Sequence, residues 1–393
     1  MHDLLPSPTR TGPSVADPVP AAWREFLTEV VSPGAAQRDA SATPIPRGQL
    51  EEAGAHGILG AHLPTDVGGA GLDARTWGAA LEGIGYWCDD ASFPLVASLY
   101  VGVGRTILAT GREELIERYV RPLGQGEALT SFAYTEDADP FSFATTVRRD
   151  GEELVLNGEK RFVTGGQQAD AFMVYARSEG SADIDVVIVE AADEGVAVDP
   201  VPVMGVRAAG LARLRLAETR VPAWRAMQEG GGLSHVQRFL NARRGLLCCA
   251  PVGRMERLLE QTVDHVASRV RYGRRLADMQ NVQAALGRMK VQLETARSTL
   301  HWALSDGADA SPNEHWSPAS AVAKHAVTES ALALSQTALR ITGGQGYAVE
   351  GRFERDVRDF HGLLAGAGAQ DILEVDLGTS VVSERERTRR YEA

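Results

Sequence analysis

Apolar residues recur at helical spacing from Ala21 to about Gly126, in stretches around Trp23–Val31, Arg47–Gly57, Ala74–Trp87 and Glu113–Leu123 broken by Gly- and Pro-bearing turns. A helical domain is expected over residues 21–127. Between Ala128 and about Arg225 the texture changes to short runs rich in Val, Phe and Thr: Leu129–Tyr134, Ala144–Arg149, Phe172–Arg177, Ile184–Glu190 and Leu211–Leu216. These predict a β-domain over residues 128–233. Within it Glu153–Leu156 and Glu159–Thr164 flank Asn157-Gly158, which reads as a hairpin because Asn-Gly supplies the positive φ angles of a tight I′ turn. From about Ser234 the helical period returns, with Met255, Leu258, Leu259, Val263, Val266 and Val270 on one stripe. Segments Asn241–Val270, Met279–Leu304 and Ala319–Ile341 predict the antiparallel helices of a four-helix bundle over residues 234–393.

Composition narrows the function classes. With 393 residues the chain exceeds what one core usually fills, so several domains are expected. The net charge of −12 offers no basic footprint for nucleic acid. Lys occurs only at 160, 290 and 324, so 37 of the 40 positive charges are Arg. Cys88, Cys248 and Cys249 build neither a disulfide framework nor a zinc pattern, which suits a reducing compartment. The first twenty residues carry five prolines and read as a disordered leader. No apolar run approaches the ~18 residues that span a membrane. A cytoplasmic protein is expected.

Five stretches carry more specific signals. Gly57 to Gly71 holds five glycines. Phe132-Ala-Tyr134-Thr135-Glu136 is followed by Asn157-Gly158-Glu-Lys160-Arg-Phe162-Val-Thr164-Gly165-Gly166. Met204-Gly205-Val206-Arg207 precedes Val221-Pro222. Asn241-Ala-Arg243-Arg244-Gly245 leads on to Arg269-Val-Arg271-Tyr272-Gly273 and Gln280. Last come Leu339-Arg340-Ile341-Thr342-Gly343-Gly344-Gln345-Gly346-Tyr347 and Arg358-Asp359.

Taken in this order, they resemble the acyl-CoA dehydrogenase superfamily of flavoproteins, over roughly Leu50 to Val382. The resemblance implies an α+β fold with an N-terminal helical domain, a middle antiparallel β-domain and a C-terminal four-helix bundle. It implies FAD as cofactor, with Thr135, Phe162 and Thr164 at the flavin ring. Donors there stabilise negative charge as the ring accepts a hydride, and an aromatic covers one face. By the same resemblance Arg269, Tyr272, Gln280, Arg340, Gly343 and Gly344 meet the rest of the dinucleotide, the first of them from a neighbouring subunit. An Arg fork suits paired phosphate oxygens, and glycines permit close backbone approach. Arg244 falls at the substrate, and Arg207 is read as structural. The implied partners are an acyl thioester on CoA or an acyl carrier protein and further copies of the chain, as a homodimer or homotetramer. A bacterial oxidoreductase is the expected setting.

The chain departs from the family pattern in two places. Only Asp137-Ala138 separate Glu136 from Asp139, so a loop that in relatives helps grip flavin and thioester is shorter. The position of the family's catalytic Glu falls on Ala367, followed by Gly368 and Ala369, and the alternative base position of some relatives falls on Arg243. Asp371, Glu374, Asp139, Tyr134 and His361 remain as substitutes, and no catalytic residue is assigned. The leading expectation is α,β-desaturation of a thioester with a non-standard base or a diverged reaction. A flavin-dependent monooxygenase of the same fold, which needs no α-proton abstraction, and a non-catalytic binding or scaffold homologue are the alternatives.

Overall fold

A computed structural model describes residues 19–137, 143–307 and 317–392. The expected leader, apart from its last two residues, and Asp139 lie outside them.

The N-terminal domain is helical. Trp77, Leu81 and Ile84 line the buried side of the Ala74–Trp87 helix at helical spacing, and Asp73 caps its start by accepting from the Thr76 amide at 2.7 Å. Beside it runs the Ser92–Leu108 helix, which the periodicity did not announce. Phe93, Val96, Ala97, Tyr100, Val101, Val103 and Ile107 leave it apolar nearly all round, so it has no polar stripe to give it away.

The middle domain is one eight-stranded sheet: β1 (Thr130–Ala133), β2 (Thr146–Asp150), β3 (Glu153–Val163), β4 (Ala171–Ser178), β5 (Ile184–Glu190), β6 (Val196–Pro200), β7 (Ala212–Pro222) and β8 (Ala226–Gln228). The path runs β6-β7-β3-β2-β4-β5-β8, with β1 also on β4. The β1–β4 and β2–β4 pairings are parallel, so the sheet is mixed where a purely antiparallel one was expected. The Asn157-Gly158 hairpin is not formed either. Both residues sit inside the continuous strand β3, and the turn lies at 151–152, where Gly151 has φ +62°. Long-range contacts override the local signal: the Asn157 side chain bonds the Glu218 amide at 2.8 Å and its carboxylate at 2.5 Å, across a bulge between β3 and β7. At Gly158, with φ +144°, a Cβ would fall 2.5 Å from Cα of Thr145.

Four long helices follow, Gly232–Ser268, Gln280–Gly307, Pro318–Thr342 and Gln370–Glu392, as expected of the bundle. Met255, Leu258 and Val266 are buried, but Val263 is 40% and Val270 54% exposed. Val270 leaves the stripe because the helix stops at Ser268. Arg269 turns extended, and Tyr272 (φ +54°) and Gly273 (φ +74°) make a two-residue turn that pairs 270–271 with 274–275.

Two of the sequence stretches form one joint between domains. The Val206 amide donates to Asp359 Oδ1 at 2.6 Å, and Arg358 bonds the Met204 carbonyl at 3.1 Å and Asp39 at 2.7 Å. A Cβ on Gly205 would sit 2.1 Å from the Arg358 carbonyl oxygen, so only glycine lets these backbones meet. Arg207 bonds the Met204 carbonyl and reaches the Asp39 carbonyl at 3.5 Å, the structural role expected of it.

Candidate active site

Thr135, Phe162 and Thr164 come together at the end of β3. The Arg161 amide donates to the Thr135 carbonyl at 2.8 Å, which lays the segment after β1 along β3. Ser131 Oγ donates to the Thr164 carbonyl at 2.5 Å, and Tyr100 Oη, from the Ser92–Leu108 helix, donates to the Gly165 carbonyl at 2.7 Å. Between these anchors Phe162 is held at φ +55°, a conformation costly for a bulky residue, with the residue 48% exposed. The hydroxyls of Thr135 and Thr164 have no hydrogen-bond partner among the described residues.

Beneath the cradle lies an ion pair that sequence reading missed. Lys160, fully buried, bonds the Glu136 carboxylate and reaches the Tyr134 carbonyl at 3.2 Å, with its ammonium 4.2 Å from the Phe143 ring centroid. Glu136 also accepts from the Ala144 amide at 2.6 Å. Burial pushes the Lys160 ammonium down to about 8, and for Glu136 burial is outweighed by Lys160, which keeps the carboxyl below its ordinary range. An aromatic cluster carries this unit onto the bundle: Phe132 stacks on Phe239 at 4.4 Å, and Tyr175 hydrogen-bonds His235 at 2.8 Å.

The second group of expected residues forms at one end of the bundle. Arg269 bonds the Gln345 side chain, which joins the 270–275 hairpin to the turn containing Gly343 (φ +62°) and Gly344. Tyr272 stands 97% exposed at the hairpin tip, and Gln280 and Arg340 are exposed nearby in the chain. A cleft of about 390 Å³ lies next to Arg269, lined by His265, Ser268, Arg352 and Phe353 among others. Among the described residues no hydrogen bond or ion pair links this group to the cradle within one chain.

The turn around Ala367 forms the third part. Ala367 has φ +56°, and its carbonyl accepts from Arg244 Nε at 3.0 Å. The next carbonyl, of Gly368, accepts from Lys324 Nζ at 2.8 Å, and Lys324 also bonds Gln370 at 2.7 Å. Arg244 is thus buried and engaged with the turn and with Asn241 at 3.0 Å. Burial lowers Lys324 to about 8. None of the described substitute bases reaches this turn by a hydrogen bond. Asp371 is exposed, Glu374 bonds His325 at 2.8 Å, His361 bonds the Val357 carbonyl at 2.6 Å, and Tyr134 stacks in the aromatic cluster, where burial raises its hydroxyl.

Models of three domains match the chain in succession: acyl-CoA dehydrogenase N-terminal domain at residues 19–127, middle domain at 131–219 and C-terminal domain at 230–381. Short-chain specific acyl-CoA dehydrogenase of rat (Rattus norvegicus) mitochondria is 30% identical over 86% of this chain and 82% of its own. The crystal structure of the prolyl acyl carrier protein oxidase AnaB superposes with a TM-score of 0.84 at 27% identity, over 92% of this chain and 97% of that one. A glutaryl-CoA dehydrogenase from Mycobacterium smegmatis in complex with FADH2 gives a TM-score of 0.85 at 25% identity, over 94% of each chain. The chain belongs to the acyl-CoA dehydrogenase family, FAD-dependent oxidoreductases of acyl thioesters.

The residues present fit that cofactor. A half-exposed aromatic residue, with the Arg161 guanidinium 5.2 Å from its ring centroid, and two hydroxyls free to donate suit the edge and face of a flavin. The Arg269 end adds a guanidinium and glycine backbone, which suit phosphates. Among the described residues no helix is long and apolar enough to cross a membrane.

Proposed function

We propose that the chain is a cytoplasmic dehydrogenase of an acyl thioester carried on CoA or an acyl carrier protein, working without a carboxylate base at the family's usual position. The observation that carries this is the Ala367 turn. Its side chain has lost the base, yet two buried cations from two bundle helices still grip two successive carbonyls of its backbone. A turn no longer used would have no need of so costly a hold, since each buried cation loses hydration that these bonds replace in part.

In this reading Thr135, Phe162 and Thr164 hold the flavin ring, and Arg269, Tyr272, Gln280, Arg340, Gly343 and Gly344 hold the rest of FAD. Bound FAD supplies the hydride acceptor. The chain's own contribution is orientation: Ser131 and Tyr100 fix the carbonyls of residues 164 and 165, and Phe162 presents its ring. Arg244 and Lys324 fix the turn beside the acyl group. The 97% exposure of Tyr272 and the separation of the two groups within one chain support a homo-oligomer, dimer or tetramer, in which the hairpin of one copy completes the site of another. AnaB and the rat enzyme support carrier-protein and CoA thioesters as the substrate class.

The same missing carboxylate favours a second reading, a flavin-dependent monooxygenase of this fold, because that chemistry needs no α-proton abstraction. One experiment separates them. Anaerobic mixing of the purified holoprotein with an acyl thioester should bleach the flavin; no bleaching, with oxygen consumed only when reduced flavin is supplied, would replace the dehydrogenase by the monooxygenase.

A further inference from the structure

Arg243 projects from the Gly232–Ser268 helix onto the Ser92–Leu108 helix. It is 6% exposed, and its Nη1 donates to Ser98 Oγ at 3.1 Å. Its stem lies against Gly102, where an added Cβ would come 3.0 Å from Cδ. Three of the other buried arginines face carboxylates: Arg38 faces Asp90 at 2.9 Å, Arg225 faces Asp193 at 2.7 Å, and Arg254 faces Asp356 at 2.7 Å. Arg243 has no carboxylate within ion-pair distance among the described residues, and a neutral serine is its sole hydrogen-bond partner. Burial lowers its guanidinium to about 10, and the opposing influences come from Cys248 and Cys249 rather than from any acid. A buried cation without a counter-charge is expensive, and an anion supplied from outside the chain would offset that cost.

The place of this cation is specific. Arg243 adjoins Arg244, which holds the Ala367 carbonyl. Leu247, one turn further along Arg243's side of the helix, comes within 3.4 Å of where a Cβ on Gly366 would stand. Arg243 therefore stands on the stretch of helix whose neighbouring residues, Arg244 and Leu247, touch the turn that faces the acyl group in the reading above.

We infer that Arg243 and Ser98 form a receptor for an anionic group on the acyl moiety, so that the substrate class is thioesters of dicarboxylic acids or similarly acidic acyl chains. This rests on the thioester reading. The guanidinium fork takes a carboxylate by two parallel bonds, and the serine hydroxyl orients it. The same charge repels an acyl group that carries a protonated amine, and it leaves a plain alkyl chain ending against an unmatched ion. Selectivity therefore comes from repulsion as well as attraction.

The test compares succinyl, butyryl and 4-aminobutyryl thioesters, each on CoA and on a phosphopantetheinylated acyl carrier protein, by equilibrium titration of the holoprotein. The wild-type chain should bind the succinyl thioester about tenfold or more tighter than the butyryl one, and the amine weakest. Arg243→Met should bring the succinyl-to-butyryl ratio to about one, while Arg243→Lys keeps part of it. Equal binding of succinyl and butyryl thioesters by the wild-type chain would overturn the receptor and leave the thioester reading standing. A ratio unchanged in Arg243→Met would do the same. Failure of every thioester to bind would overturn both. Because the wild-type preference needs no variant, poor folding of Arg243→Met does not block the test.

Discussion

Two residues at opposite parts of the site share one backbone feature and differ in everything else. Phe162 in the middle domain has φ +55° and Ala367 at the end of the bundle has φ +56°, both unusual for residues with a Cβ. At Phe162 the strain presents a half-exposed aromatic ring between two clamped carbonyls. At Ala367 strain and clamps are also present, but the side chain is a methyl. In the function proposed above, the first pairs a shaped backbone with groups that serve the flavin, and the second offers a shaped backbone alone. On that proposal the contrast teaches that the shape of a site and its proton chemistry are separable, because buried side chains from elsewhere maintain the first and one residue supplies the second.

The sharpest way to probe this difference is to restore the missing group. Ala367→Glu adds a carboxylate without asking more of the backbone, and should raise the rate of anaerobic flavin reduction by a simple acyl-CoA by about 10²–10⁴-fold in stopped-flow absorbance. Breaking the other side comes next. Lys160→Met strips the buried Glu136 of its partner and should cost about 3–5 kcal/mol in urea unfolding, with weaker FAD retention.

Acid should loosen the contact between cradle and bundle. Burial lowers His235 to about 4, and likewise His62, which hydrogen-bonds the Leu72 carbonyl within the N-terminal domain, so both are neutral in the fold, whereas in the unfolded chain each takes a proton near pH ~6.5. Between those values the unfolded state binds more protons. Stability is therefore complete above about pH 6.5 and falls as pH drops towards 4, by roughly 2–3 kcal/mol for each histidine. Urea midpoints measured across that range for the wild type and His235→Asn should show a shallower fall in the variant. The smallest effect separates the two strained residues most cleanly. Ala367→Gly should gain about 1 kcal/mol of stability by relieving φ, with FAD binding unchanged. Phe162→Gly relieves the same strain but should release FAD.

Much of the architecture was legible, and what was not has identifiable physical causes. The three-part order and the long bundle helices follow from apolar periodicity, which burial enforces. The Ser92–Leu108 helix escaped notice because burial on all sides removes the periodicity. Asn157-Gly158 carries a true local preference for a hairpin, but Glu218 and Thr145 use it as a bulge, and the two-residue turn appears instead at Tyr272-Gly273. For the site, the stretches named Thr135, Phe162, Thr164 and Ala367 by resemblance. Lys160 and Glu136 are 24 residues apart and Arg243 and Ser98 145 apart, so their partnerships exist only once the chain has folded. The one available clue was rarity: Lys160 and Lys324 are two of only three lysines, and both are buried at the site.

The central claim is that the flavin cradle survives although the base does not. Apoprotein should be mixed with FAD, passed through gel filtration and examined by its visible spectrum. The account predicts a yellow protein that carries about one flavin per chain, and a Phe162→Ala variant that retains much less. A colourless wild-type protein that releases all its FAD on the column would contradict it.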